Sequence, residues 1–305
     1  MAEQRPLIGV TMGDPVGIGP EIICKAFSGR EIFDHARPLV LGDAGVMGIA
    51  AGISGREVEI RKVEKPGDSD FIPGVVNVLN FSELDTQAHR WGRPDRKTGL
   101  AMVRFIEHGA DMARSGEIAA IVTCPINKAA MRLAGVEYPG HTEILARRTG
   151  TVRYAMMLAG KRLRVVLATI HISLRRVPDF LDTQRIETAI RLTHQALKAR
   201  FGISEPRIAV AGLNPHAGEE EMFGEEETRI IKPAVSGALA EGINASGPHP
   251  PDTVFYHASN DVYDAVICMY HDQGLIAFKM LHFSDGVNTT LGLPIIRTSV
   301  DHGTA

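Results

Sequence analysis

The stretch Pro6-Leu7-Ile8-Gly9-Val10-Thr11-Met12-Gly13-Asp14-Pro15-Val16-Gly17-Ile18-Gly19-Pro20-Glu21 decides the fold class. Pro6–Met12 is a short, largely continuous apolar run of the kind that forms a strand buried on both faces. Gly17 and Gly19 permit backbone angles that other residues avoid, and Pro20 suits the first position of a helix. Strand, glycine turn and helix start make one βα unit. Such a turn can present backbone amides to an anion. Its spacing is neither GxGxxG nor GxxxxGKS/T, and a plain strand-to-helix turn explains it equally well.

Outward from this unit the same pattern repeats. Further strands are expected at Pro38–Leu41, Val75–Leu79, Ala119–Thr123, Tyr154–Leu158, Val165–Ile170, Ile208–Leu213 and Ala265–Met269. Each is closely followed by Gly, Asp, Asn, Pro or His. Helical periodicity fills the intervals: Val103, Ile106, Ala110 and Ala113 share one face, as do Ile186, Ile190 and Leu197. Alternation of this kind specifies an α/β protein with mostly parallel sheets. Glu64–Pro73 and Thr86–Thr98 are polar and turn-rich, and read as loops. Glu219, Glu220 and Glu221 with Glu225, Glu226 and Glu227 form an acidic patch, expected to be the solvated start of a helix.

Composition narrows the function. At 305 residues, the chain has room for about two domains. Lys and Arg total 33 against 36 Asp and Glu, a net charge of -3, so no broad positive field exists to attract nucleic acid. Cys24, Cys124 and Cys268 lie far apart in apolar runs without a CxxC pair, which favours buried reduced thiols over a zinc ribbon or disulfide scaffold. The N-terminal stretch lacks an apolar region long enough for a signal peptide, and no run approaches 18 apolar residues. A cytoplasmic location without membrane contact is the expectation. No GxSxG, HExxH or EF-hand loop is present.

The chemistry gathers at strand ends. Three of the 12 histidines close an apolar strand in the same way: VVLATI-His171, IAVAGLNP-His216 and AVICMY-His271. Functional groups of open α/β sheets collect at that edge, where three imidazoles could share one divalent metal. Separate structural roles are the alternative. His35, His108, His194 and His249 lack this setting and read as surface or structural residues. His141 and Thr142 open a helical pattern after Tyr138-Pro139-Gly140 and could bind an anion or simply cap the helix. Lys279 and Arg297 are cations in apolar neighbourhoods, requiring either ion-pair partners or an anionic substrate. The residues alone specify a metal-assisted α/β enzyme acting on a small anion.

GDPVGIGPE (13–21), YPGHTEIL (138–145), GLNPHAGE (212–219), MYHDQGL (269–275), Phe278-Lys279 and NTTLGLPIIRTSVDHGTA (288–305) occur in an order that resembles the 4-hydroxythreonine-4-phosphate dehydrogenase family. That family includes the related 4-phospho-D-threonate and 4-phospho-D-erythronate dehydrogenases. Its pattern continues past Asp301-His302-Gly303-Thr304-Ala305 with a further loop and helix. The resemblance implies a two-domain isocitrate/isopropylmalate dehydrogenase-like architecture with a cleft between domains: residues 1–135 plus 282–305, and residues 136–281 with the metal ligands. It implies His171, His216 and His271 as metal ligands, with His271 serving the partner subunit's site in a homodimer. Zinc is the first choice of metal, Mg2+ or Co2+ the alternatives. His141, Thr142, Lys279, Asn288 and Arg297 fall on substrate-binding positions, Asp252 and Lys279 on catalytic ones, and Asp301, His302 and Gly303 on a loop approaching NAD, with NADP as the alternative. The implied reaction is oxidation of the 3-hydroxyl of 4-phosphohydroxy-L-threonine and decarboxylation to 3-amino-2-oxopropyl phosphate, in pyridoxal 5'-phosphate biosynthesis. Sugar-acid catabolism on 4-phospho-D-threonate or 4-phospho-D-erythronate is one competing reading. A metal-dependent lyase or hydrolase without NAD is another, and a non-catalytic anion binder a third.

Overall fold

The computed structural model describes residues 5–304. Two units are separated along the chain: one runs from Arg153 to Gly292, and the other comprises the residues before and after it. The sequence-based boundaries at 135/136 and 281/282 differ from these at both ends. The helix His141–Thr149 stays with the first unit because Arg148 pairs with Asp111 on the helix Arg96–Ser115, with Nε 2.8 Å from Oδ1. Val287–Leu291 stays with the second because it is laddered onto Ala155–Ala159.

The first unit holds β1 (Leu7–Thr11), β2 (Arg37–Gly42), β3 (Glu59–Val63), β4 (Val75–Asn80), β5 (Ala120–Thr123) and, from the C-terminal segment, β12 (Arg297–Ser299). They lie in the order β3-β4-β2-β1-β5-β12, every pair parallel. The second unit holds β6 (Ala155–Ala159), β7 (Arg164–Leu167), β8 (Ile208–Ala211), β9 (Ala245–His249), β10 (Ala265–Cys268) and β11 (Val287–Leu291), ordered β11-β6-β7-β10-β8-β9. β6 is antiparallel to both neighbours, and the remaining pairs are parallel.

All eight expected strands form. Four others carry no apolar run: β3 (EIRKV) and β9 (ASGPH) are edge strands, β11 (VNTTL) is polar at its centre, and β12 has three residues.

Central strands are buried on both faces, which is why they read as unbroken apolar runs. In the second unit Val166, Val210 and Ile267 point into a core shared with Ile186, Ile190 and Leu197 of the helix Thr183–Ala199. Their neighbours Val165, Ala209 and Val266 point the other way, onto Val254 and Phe278. The first unit repeats this: Val10, Val40 and Val78 pack on Ile23, Phe27 and Met47, while Leu39 and Leu41 face Met112 and Ile118. Cys24, Cys124 and Cys268 are buried and unpaired, and burial pushes the Cys24 and Cys124 thiols up to about 11 and about 12. Among the described residues no helix is long and apolar enough to cross a membrane.

Two aspartates cap helices with different commitments. Asp95 accepts from Thr98 N at 2.8 Å in a capping box on a solvent-facing turn. Asp43, 1% exposed, accepts from Val46 N at 3.0 Å and with its other oxygen from Ser82 Oγ at 2.7 Å and Leu84 N at 2.9 Å. Asp95→Ala is expected to cost about 1 kcal/mol in urea unfolding, and Asp43→Ala about 3 kcal/mol because buried donors lose their acceptor. Equal losses would contradict this assignment.

Candidate active site

In the first unit, β5 and β12 run side by side with Arg297 opposite Ile121. The Arg297 side chain is 3% exposed, and its Nε and Nη2 donate to Thr123 Oγ1 at 3.1 and 2.8 Å. Burial pushes the guanidinium down to about 10, and the Glu143 carboxylate acts in the opposite direction. His141 is the first residue of the helix His141–Thr149, whose cap residue Gly140 supplies no side-chain hydrogen bond. The first amides of that helix are therefore left for another acceptor.

The imidazole of His141 hydrogen-bonds the Cys124 backbone, and its Nε2 is buried with no partner among the described residues. Burial, then the nearby Arg297 charge, holds His141 well below the usual histidine range. Thr142 is half-buried beside it. A buried cation and an uncapped helix start together suit a small anion, and the unmatched acceptor nitrogen of the neutral imidazole beside them suits a hydroxyl donor.

The glycine turn is built differently from an anion cradle. Val16 N donates to Asp14 Oδ1 at 3.1 Å, Gly17 N to Asp14 O at 3.0 Å and Ile18 N to Thr304 O at 3.0 Å. Its amides are spent on the chain itself, as in the plain strand-to-helix turn. The glycines serve close approach: a Cβ on Gly19 would lie 2.2 Å from Met12 O. Thr304 also packs against Gly17, which seats the segment Asp301-His302-Gly303 beside this turn. Asp301 is half-buried, and His302 and Gly303 are exposed.

In the second unit, His171, His216 and His271 all follow strand ends, after β7, β8 and β10. The rings of His171 and His271 lie 5.6 Å apart, tilted by 41°. His271 Nδ1 is 2.7 Å from Asp272 Oδ1. His216 sits in the turn Pro215–Gly218 with a left-handed φ of 52°, its ring 6.2 Å from that of Phe223. Among the described residues no three His, Cys, Asp or Glu side chains gather as a metal-binding group. The donor chemistry suits a divalent metal: two imidazoles lie close together, and a carboxylate engages one nitrogen of His271 and leaves the other for a metal. A catalytic site needs a third protein donor.

Three further expected residues lie on elements of the second unit. Asn288 lies on β11 with its Oδ1 buried and unpartnered among the described residues. Lys279 is half-buried on the helix His271–His282. Asp252 is exposed in the first turn of the helix Pro251–Ser259. His249 is held structurally, with Nε2 2.8 Å from Ser246 Oγ.

The acidic patch requires a correction. Glu227 is 2% exposed, and accepts from Leu213 N at 2.7 Å, Asn214 N at 2.8 Å and Asn214 Nδ2 at 3.0 Å. It anchors the turn that carries His216 and is not a solvated helix start. Composition hides this, because Glu227 differs from its exposed neighbours only in where the chain folds.

The family described as pyridoxal phosphate biosynthetic protein PdxA matches residues 34–305. A 4-hydroxythreonine-4-phosphate dehydrogenase of Desulforapulum autotrophicum is 56% identical over 305 residues, covering 100% of this chain and 90% of that protein. A D-threonate 4-phosphate dehydrogenase of Salmonella typhimurium is 46% identical, covering 99% of this chain and 92% of that protein. The crystal structure of a 4-hydroxythreonine-4-phosphate dehydrogenase from Klebsiella pneumoniae matches with a TM-score of 0.93 at 46% identity, over 100% of this chain and 92% of that one.

His141 gives the site a pH signature. Its folded pKa lies below the ordinary value of 6.5, so the unfolded chain takes up the proton first as pH falls. The stability that His141 contributes by staying neutral is complete above about pH 6.5 and is lost as pH falls below it. His141→Gln is expected to flatten the decline in urea-unfolding stability between about pH 7 and about pH 5. An unchanged slope would show that His141 is not held neutral.

Proposed function

The chain belongs to the PdxA family of pyridoxal phosphate biosynthetic proteins, and from that premise we propose that it oxidises the C3 hydroxyl of 4-phosphohydroxy-L-threonine with NAD and releases carbon dioxide to give 3-amino-2-oxopropyl phosphate. The observation that carries this reading is the buried Arg297 beside the neutral His141 and the uncapped start of the helix His141–Thr149. Arg297 and the helix start would hold the phosphate or carboxylate, with Thr142 donating to its oxygens and His141 Nε2, the acceptor nitrogen of the neutral ring, taking a bond from a hydroxyl of the substrate. Lys279 and Asn288 would hold the remaining polar groups of the substrate.

When bound, the nicotinamide would take the C3 hydride, and a divalent metal, zinc first, would polarise the C3 oxygen. His171, His216 and His271 would hold that metal. Asp252 would accept the proton of the C3 hydroxyl. The resulting ketone is β to the carboxylate, so the C1–C2 bond breaks, carbon dioxide departs and C2 takes up a proton. The proposal places Asp301, His302 and Gly303 against the dinucleotide.

A homodimer is part of the reading. Ile276 and Met280, at 64 and 82% exposure, stand one turn apart on the helix His271–His282, and Phe283, at 86%, follows at its C-cap. An apolar stripe of this kind suits a partner subunit. Sharing the metal centres between subunits would join His171 and His216 of one subunit to His271 of the partner subunit. The second reading, oxidation of 4-phospho-D-threonate, is favoured by the relative that is 46% identical and bears that name.

NADH formation followed by absorbance with zinc present tests the proposal, offering 4-phosphohydroxy-L-threonine and 4-phospho-D-threonate in parallel. Preference for the first is expected, and preference for the second would move the protein to the alternative. Turnover of neither by metal-loaded protein would contradict the dehydrogenase assignment. Arg297→Met is expected to lower kcat/KM by about 100-fold or more, mainly through KM, by removing a bidentate anion contact.

A further inference from the structure

β7, β10 and β8 are neighbours in the second unit, and each is followed by a segment carrying one of the three histidines. Past the strand ends the ladder stops, so backbone groups there need other partners. Thr169, two residues before His171, donates from Oγ1 to Met269 O at 2.6 Å. Met269 lies two residues before His271, and its N–H donates to Gln273 Oε1 at 2.6 Å. The other end of the same amide, Gln273 Nε2, donates to Gly212 O at 2.7 Å, in the segment leading to His216. Glu227 continues the series by taking the next two amides, Leu213 N and Asn214 N.

Thr169 is 3% exposed, Met269 0% and Gln273 8%, so water does not compete for these bonds. Each side chain ties its own segment to a different one. A buried hydroxyl elsewhere in the unit, Thr193 Oγ1, instead bonds Ala189 O of its own helix at 2.7 Å. Shifting any of the three segments breaks a bond to the next, and none of the bonding groups belongs to a histidine ring.

We propose that Thr169 and Gln273 are positioning residues for the histidine centres: together they form a buried polar brace that fixes the segments of His171 and His216, which serve one centre, and of His271, which serves the partner subunit's, relative to one another. The inference rests on the metal reading above and adds that the geometry of the centres is set by this brace. Outer groups that orient metal ligands typically govern about 10- to 100-fold in metal affinity.

The test is cobalt(II) titration of the chelator-treated full-length protein, followed by visible absorbance. Far-UV circular dichroism establishes that each variant is folded. Thr169→Val and Gln273→Leu are expected to weaken cobalt binding by about 10- to 100-fold, and Thr169→Ser to restore it. Thr193→Val, which removes an equally buried hydroxyl outside the brace, is expected to bind as the wild type does. If Gln273→Leu fails to fold, Thr169→Val against Thr193→Val carries the comparison alone. Wild-type affinity in Thr169→Val, or an equal loss in Thr193→Val, would overturn the brace while leaving the metal reading intact. A wild-type protein that takes up no cobalt would overturn the metal reading and the brace with it.

Discussion

Burial of the strands on both faces is the constraint on which the rest depends. Val165 and Val166 point into different cores, as do Val266 and Ile267, so neither face of β7 or β10 has room there for a polar group. In the second unit the histidines are displaced to the chain beyond the strand ends. There the ladder no longer satisfies backbone amides and carbonyls, and polar side chains such as Thr169, Gln273 and Glu227 take them over. The same residues that meet the hydrogen-bonding requirement also fix the histidine-bearing segments. Stability and site geometry therefore share one set of bonds.

The first unit follows a second physical logic. A guanidinium buried to 3% exposure carries a large desolvation cost, visible in its pKa being pushed down to about 10. Burial first, then the Arg297 charge, keeps the neighbouring His141 neutral, so the pair settles as one cation and one neutral imidazole. The helix start beside them lacks a side-chain cap. An incoming dianion offsets the cost of the buried guanidinium and of the open helix start at once, which a neutral ligand would not do.

Much of this was legible in the sequence, for reasons that differ by residue. The eight buried strands announced themselves because double-faced burial writes continuous apolar runs. Edge and polar strands such as β3, β9 and β11 wrote none, since their stability comes from pairing and not from apolar content. His171 and His271 could be singled out by their position after a strand, and the structure brings their rings together. Arg297 stood out as a cation among apolar residues, whereas Asn288 came from a longer motif, because an isolated neutral polar residue carries no periodic signal. Glu227 was misread for the same reason: six glutamates look alike in composition, and only tertiary folding buries one of them. Gln273 stood inside a quoted motif without a role, since its two bonds join segments far apart in the chain.

The central claim is that the site in the first unit is built for a phosphorylated anion. Calorimetric titration at about pH 7 with 4-phosphohydroxy-L-threonine and with its dephosphorylated counterpart tests it most directly. The account predicts that the phosphorylated compound binds at least about 100-fold more tightly, with that preference abolished in Arg297→Met. Equal affinity for the two compounds, or a preference that survives loss of Arg297, would contradict it.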